Sequence, residues 1–289
     1  MTVVMPELEG VEHDHHDLPT GVRIHVATAG PADAPVVLAQ HGWPQHWWSW
    51  REVIAALRGD VRVVCPDMRG FGWSGWPADG DFTKARVADD LLALLDALGL
   101  ERVLMAGHDW GGWAGFLAVL RAPERFSGLV AMSIPHPWQP PATIFRNVHR
   151  LAYQIPLATP LLGERLVRDG RFPRAVLETA RRDDRHWRPE VLEAYLAVLR
   201  EPQAARASER LYRDFLVREA PRSGAFTGQR LEVPSLLLHG YRDPLGRDFV
   251  QGFERHAEEG ALEIVDRAGH FLPEEAPALV AERLRAMCG

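Results

Sequence analysis

The chain has 289 residues, enough for one large α/β domain with room for an insertion. A hydrophobic fraction of 46%, a charged fraction of 25%, a net charge of −6 and a pI near 6.1 are those of an ordinary globule and argue against nucleic acid as the main partner. Two cysteines, Cys65 and Cys288, argue against a disulfide framework. The N-terminus lacks a basic start and a long apolar core, and no apolar run reaches membrane-spanning length, so the cytoplasm is the expected compartment. Lys84 is the only lysine, read here as codon bias and a bacterial hint.

In chain order, Val22 to Ala27 alternates as a half-buried strand. Val36–Ala39 and Val61–Cys65 are short apolar runs, the pattern of buried parallel strands, with helical spacing from Trp50 to Leu57 between them. Ala85 to Leu100 puts Val87, Leu91, Leu94, Leu95 and Leu98 on one stripe, which predicts an amphipathic helix. Val103–Ala106 and Leu129–Ile134 read as further strands. After Pro234–His239 and Leu262–Val265 comes a final helix near Glu274 to Met287. This alternation predicts an α/β fold with a mostly parallel sheet flanked by helices. From His136 to Gly224 it gives way to an arginine-rich, proline-broken helical pattern. Residues 1–135 and 225–289 are therefore expected to form the core, and 136–224 an inserted helical lid.

The chemistry gathers at Gly107-x-Asp109-x-Gly111, which has the spacing of the sharp strand-to-helix turn called the nucleophile elbow. A serine there serves acyl transfer; a carboxylate implies a different electrophile. Aspartate attacking an acyl carbon gains little, because the product is a mixed anhydride. On a saturated carbon it makes an alkyl ester that water can cleave, which suits strained epoxides and alkyl halides. Asp243 and His270 each follow one of the last two strands, in the order nucleophile, acid, histidine. His270 would activate water and Asp243 would orient its ring. Asp248 is a rival acid, expected in the following helix. The alternative acid position, Ser133 to His136, holds no carboxylate. His41-Gly42-Trp43-Pro44 follows another strand, so the backbone N–H groups of Trp43 and Trp110 are the expected oxyanion donors.

His41-Gly-Trp-Pro44, Asp67-Met-Arg-Gly-Phe-Gly-Trp-Ser74, Gly107-His-Asp-Trp-Gly-Gly112, Asp243 and His270-Phe-Leu-Pro-Glu-Glu275 together resemble the α/β-hydrolase-fold epoxide hydrolases of bacterial soluble type, across essentially the whole chain. The resemblance implies cofactor-free conversion of an epoxide to a vicinal diol, with two lid tyrosines on the epoxide oxygen. Tyr153 and Tyr212 occupy the matching positions; Tyr195 is the other candidate, in surroundings that suggest helix packing. Chemically, an alkoxide leaving group needs a proton, and a phenol is protonated at neutral pH yet acidic enough to give it.

Trp43, Trp110, His41 and Pro44 are expected to line the substrate pocket, implying an apolar or aryl epoxide. His41 is also expected to brace the oxyanion loop, and His108 to be structural. His13, His15 and His16 lack a further ligand at recognisable spacing, so a strand or turn is expected there rather than a metal site. The alternative function is a haloalkane dehalogenase with the same Asp nucleophile. It would need N–H donors for halide, from Trp110 with Trp138 or Trp187.

Overall fold

The computed structural model describes residues 3–182, 187–222 and 226–288. Eight strands form one sheet: β1 (Val11–Leu18), β2 (Val22–Ala29), β3 (Val36–Gln40), β4 (Arg62–Pro66), β5 (Val103–His108), β6 (Phe126–Met132), β7 (Ser235–Gly240) and β8 (Gly260–Val265). Their order across the sheet is β1-β2-β4-β3-β5-β6-β7-β8. β1–β2 and β2–β4 pair antiparallel; every other pair is parallel. The central strands are continuous apolar runs because both faces are covered. Along β5, Val103 and Met105 face one core while Leu104 and Ala106 face the other. Helices α1 (Arg51–Leu57), α2 (Lys84–Ala97) and α3 (Trp110–Arg121) follow their strands. α2 and α3 bury Leu91, Leu94 and Phe116 on one face of the sheet.

Between β6 and β7, the described residues form seven α-helices: α4 (Pro141–Arg146), α5 (Val148–Leu151), α6 (Gln154–Ala158), α7 (Leu162–Asp169), α8 (Arg171–Ala180), α9 (Pro189–Arg200) and α10 (Pro202–Asp214). α10 runs into one π-helical turn, Phe215–Glu219. The boundary expected at 224/225 lies outside the described residues. The insertion is tied to the core by buried polar contacts. Tyr195 of α9 donates to Glu274, which also pairs with Arg51 at 2.6 Å.

The final helix departs from expectation. It divides into α11 (Leu272–Glu275) and α12 (Pro277–Cys288), because Pro277 has no N–H to give and Ala276 leaves helical geometry at φ −137, ψ 48. α12 packs with α1 on the second face of the sheet. No helix among the described residues is long and apolar enough to cross a membrane.

Candidate active site

Asp109 closes β5 and caps α3 at φ 51, ψ −125, a left-sided backbone that a non-glycine residue adopts only when its surroundings force it. The surroundings are crowded. A Cβ on Gly107 would lie 2.5 Å from the Gly111 carbonyl oxygen, and one on Gly42 would lie 2.3 Å from Asp109 Cβ. Glycine is required at both positions for the turn to sit against the loop after β3. Asp109 itself is 5% exposed, and its Oδ1 accepts the Trp43 N–H at 3.0 Å. The Trp110 N–H opens α3 next to the carboxylate and makes no hydrogen bond to it.

Across from the elbow, His270 Nε2 lies 3.5 Å from Asp109 Oδ2, and its Nδ1 lies 3.0 Å from Asp243 Oδ2. Burial alone would disfavour the imidazolium, but Asp243 and then Asp109 outweigh it and raise the His270 pKa to about 10. Asp243 is likewise buried, yet the charge and hydrogen bond of His270 hold it down to about 2. Its Oδ1 accepts the Leu245 N–H at 2.9 Å, which fixes the carboxylate plane.

The His270 loop is held from several sides. Its carbonyl accepts from His108 Nε2 at 2.9 Å, and its N–H donates to the Ala180 carbonyl at 3.0 Å. His108 is neutral, its pKa lowered to about 4 by burial and by the neighbouring His270. Glu275 accepts the N–H groups of Gly269, Phe271 and Arg182. Sequence reasoning did not single out Glu275; its signal was only a second carboxylate five residues past the histidine.

Tyr153 and Tyr212 meet edge to face with ring centres 6.0 Å apart. Tyr212 is wedged between the indoles of Trp43 (5.3 Å) and Trp110 (5.6 Å). Burial, reinforced by the negative charge of Asp109, raises both phenol pKa values, so both stay protonated at neutral pH. For Tyr212 the nearby Tyr153 acts in the same sense. The Trp110 indole opposes it, although Trp110 Nε1 completes no hydrogen bond. Tyr195 is elsewhere, engaged with Glu274 and Arg51.

A cavity of about 540 Å³ opens onto Asp109 and Tyr153, walled by Trp110, Trp113, Leu117, Phe215 and Phe249. Of the four residues expected along it, Trp110 lines it, whereas His41, Trp43 and Pro44 do not. They are buried, because the loop after β3 turns its side chains into the core. Trp43 Nε1 donates to Ser208. His41 Nε2 accepts the Met68 N–H at 2.9 Å, so its proton sits on Nδ1 and goes to the Gly42 carbonyl. Asp67, another residue not singled out, clamps the same loop by accepting the N–H groups of Trp47 and Trp73 and pairing with His25 at 2.7 Å.

The remaining candidates are spent in packing. Trp138 Nε1 donates to the carbonyls of Phe226 and Gln229. Trp187 packs on Tyr195 and Phe271, outside the cavity. Asp248 lies in a short 3-10 turn and accepts from Asn147. His13, His15 and His16 lie in β1, where His13 stacks on His25.

The pattern of the alpha/beta hydrolase fold family matches residues 35–277. The chain is 31% identical to a soluble epoxide hydrolase of Corynebacterium sp. (strain C12), covering 93% of this chain and 94% of that one. It is 28% identical to mouse (Mus musculus) epoxide hydrolase 4, over 90% of this chain and 75% of that protein. The crystal structure of epoxide hydrolase VrEH1 from Vigna radiata superposes with a TM-score of 0.84 at 26% identity, covering 97% of this chain and 98% of that one. The chain belongs to the α/β-hydrolase fold family and is an enzyme of the hydrolase class, grouped by similarity with the family's epoxide hydrolases.

Proposed function

We propose that this protein hydrolyses epoxides to vicinal diols through a covalent ester on Asp109, beneath a helical cap of residues 136–224 set into a core of 1–135 and 225–289. The observation that carries the reading is a single juxtaposition: an elbow carboxylate with an imidazole on one side and two protonated phenols, Tyr212 buried and Tyr153 half-buried, within reach of its field.

In the first step Asp109 Oδ2 attacks a ring carbon, because Oδ1 is held by the Trp43 N–H. The ring C–O bond breaks and its oxygen takes a proton from Tyr153 or Tyr212. The carboxylate is now a neutral ester, so His270 loses one of the two charges that kept it protonated and its proton affinity falls. Its proton returns, through water, to the phenolate left by the first step, and neutral His270, oriented by Asp243, then removes a proton from water attacking Asp109 Cγ. Charge gathers on Oδ1, where the Trp43 N–H, joined by the Trp110 N–H, stabilises it. Collapse breaks the Cγ–OR bond, the diol oxygen takes the hydroxyl proton of the new carboxyl group, and the Asp109 carboxylate is restored beside protonated His270. These steps need only the chain's own side chains and water. The aromatic and aliphatic cavity wall supports an apolar or aryl epoxide as substrate.

A dehalogenase would need two N–H donors facing the departing halide. Trp138 is already engaged with two carbonyls, and Trp187 is packed against Tyr195 and Phe271. Incubation with styrene oxide and, separately, with a bromoalkane tests the proposal. Diol from the first and no halide from the second is expected; free bromide without diol would replace the reading by dehalogenation.

A further inference from the structure

The chain's one lysine is fully buried. Lys84 opens α2, and its backbone N–H and that of Ala85 donate to Glu219 of the π turn. Its Nζ donates to the Leu211 carbonyl at 2.7 Å and stands 3.4 Å from Glu219 Oε2. The same ammonium lies 4.3 Å from the ring centre of Trp110 and 4.9 Å from that of Phe215. The ester cycle above has no use for it. Burying a cation is expensive, and an apolar side chain of similar volume often fills such a place without loss of stability.

Two of its contacts, however, converge on one residue. Leu211 immediately precedes Tyr212, and Trp110 packs edge-on against the Tyr212 ring at 5.6 Å. We propose that Lys84 is a positioning residue for proton delivery: by gripping the Leu211 carbonyl and the face of Trp110 it sets the Tyr212 phenol over the epoxide oxygen, and its fixed charge favours the alkylation step. This rests on the ester reading above. During alkylation the carboxylate–carbon bond forms, the ring C–O bond breaks, and the oxygen takes the phenol proton. One negative charge thereby passes from Asp109 to the tyrosine pair. A cation already in place behind Trp110 assists that transfer without reorganising. Ester hydrolysis is served by His270 and Asp243, which Lys84 does not touch.

The test uses the full-length chain carrying His270→Gln, treated with styrene oxide, with the mass increase of the protein followed in time. If His270→Gln alone gains no mass, the ester reading fails and not this inference. Given accumulation, adding Lys84→Met should slow it by roughly 10- to 100-fold, since a donor and a charge are both lost. Lys84→Gln, which keeps a donor for Leu211, should fall between and serves as the variant if the methionine form does not fold. In a His270→Gln, Tyr212→Phe background, Lys84→Gln should slow alkylation by less than about twofold, because the residue it acts through is gone. Equal accumulation rates in folded Lys84→Gln and its parent would overturn the proposal. So would an undiminished effect in the Tyr212→Phe background.

Discussion

His270 Nε2 stands 3.5 Å from Asp109 Oδ2, beyond the length of a strong charge-assisted hydrogen bond. On the proposed ester route, that spacing lets the imidazole feel the carboxylate and leaves the carboxylate free to attack. On the same route, a water drawn between them after esterification would meet both the base and the ester carbon. Removing the acid behind the imidazole should therefore separate the two steps. Asp243→Asn leaves His270 without its orienting carboxylate, and ester hydrolysis should slow by ~10²- to ~10⁴-fold. Alkylation should continue, so alkyl-enzyme should build up in rapid-quench mass spectra. Slowing of both steps by equal factors would count against the division of labour.

The phenols should act on the other step. Tyr153→Phe or Tyr212→Phe should slow alkylation by ~10- to ~1000-fold and leave hydrolysis of the preformed ester nearly unchanged. Transient kinetics on styrene oxide reads both constants. Unchanged alkylation in both variants would move the assignment toward a leaving group that needs no proton.

Tyr195 offers the contrasting case. Its hydroxyl donates to buried Glu274, so Tyr195→Phe should cost about 1.5–3 kcal/mol of stability, the range for a hydrogen bond to a charged group. Steady-state activity should remain within about twofold. A large loss of activity with an unchanged melting temperature would reverse the roles of Tyr195 and Tyr212.

The pairing of His270 also makes stability depend on pH in a defined direction. Its folded pKa of about 10 lies above the ordinary 6.5, so the contribution is complete below pH 6.5 and fades as pH rises through about 10. Asp243, lowered from 3.8 to about 2, contributes fully above its ordinary value and loses that contribution as pH falls through 2. The two windows overlap between 3.8 and 6.5. His270→Gln should be most destabilising there and converge with the parent above about pH 10, as read by thermal melts. A difference that grows toward alkaline pH would contradict the ion pair.

Much of this arrangement is legible in the sequence. Strands buried on both faces announce themselves as unbroken apolar runs, and the elbow is written in two glycines that nothing larger can replace. The acid and the histidine follow strand ends, where a parallel sheet offers its binding edge. What stayed hidden depends on partners distant in the chain. Tyr195 and Tyr212 both lie on helices that bury one face; only Arg51 and Glu274, far away in sequence, separate the packing tyrosine from the one beside Asp109. Trp43 looks like a pocket wall until Ser208 is seen holding its indole. The lone lysine read as codon bias because its burial is set by Leu211 and Glu219, more than a hundred residues on. The break at Pro277 was visible, and the helical stripe on either side of it concealed the stop.

The covalent route is tested most directly by one turnover in water enriched with heavy oxygen, with enzyme in excess over epoxide. The diol formed should carry ordinary oxygen donated by Asp109, and the heavy isotope should appear in the Asp109 carboxylate by peptide mass analysis. Heavy oxygen in the diol of that first turnover would mean that water attacked the ring directly, and the role given to Asp109 would be wrong.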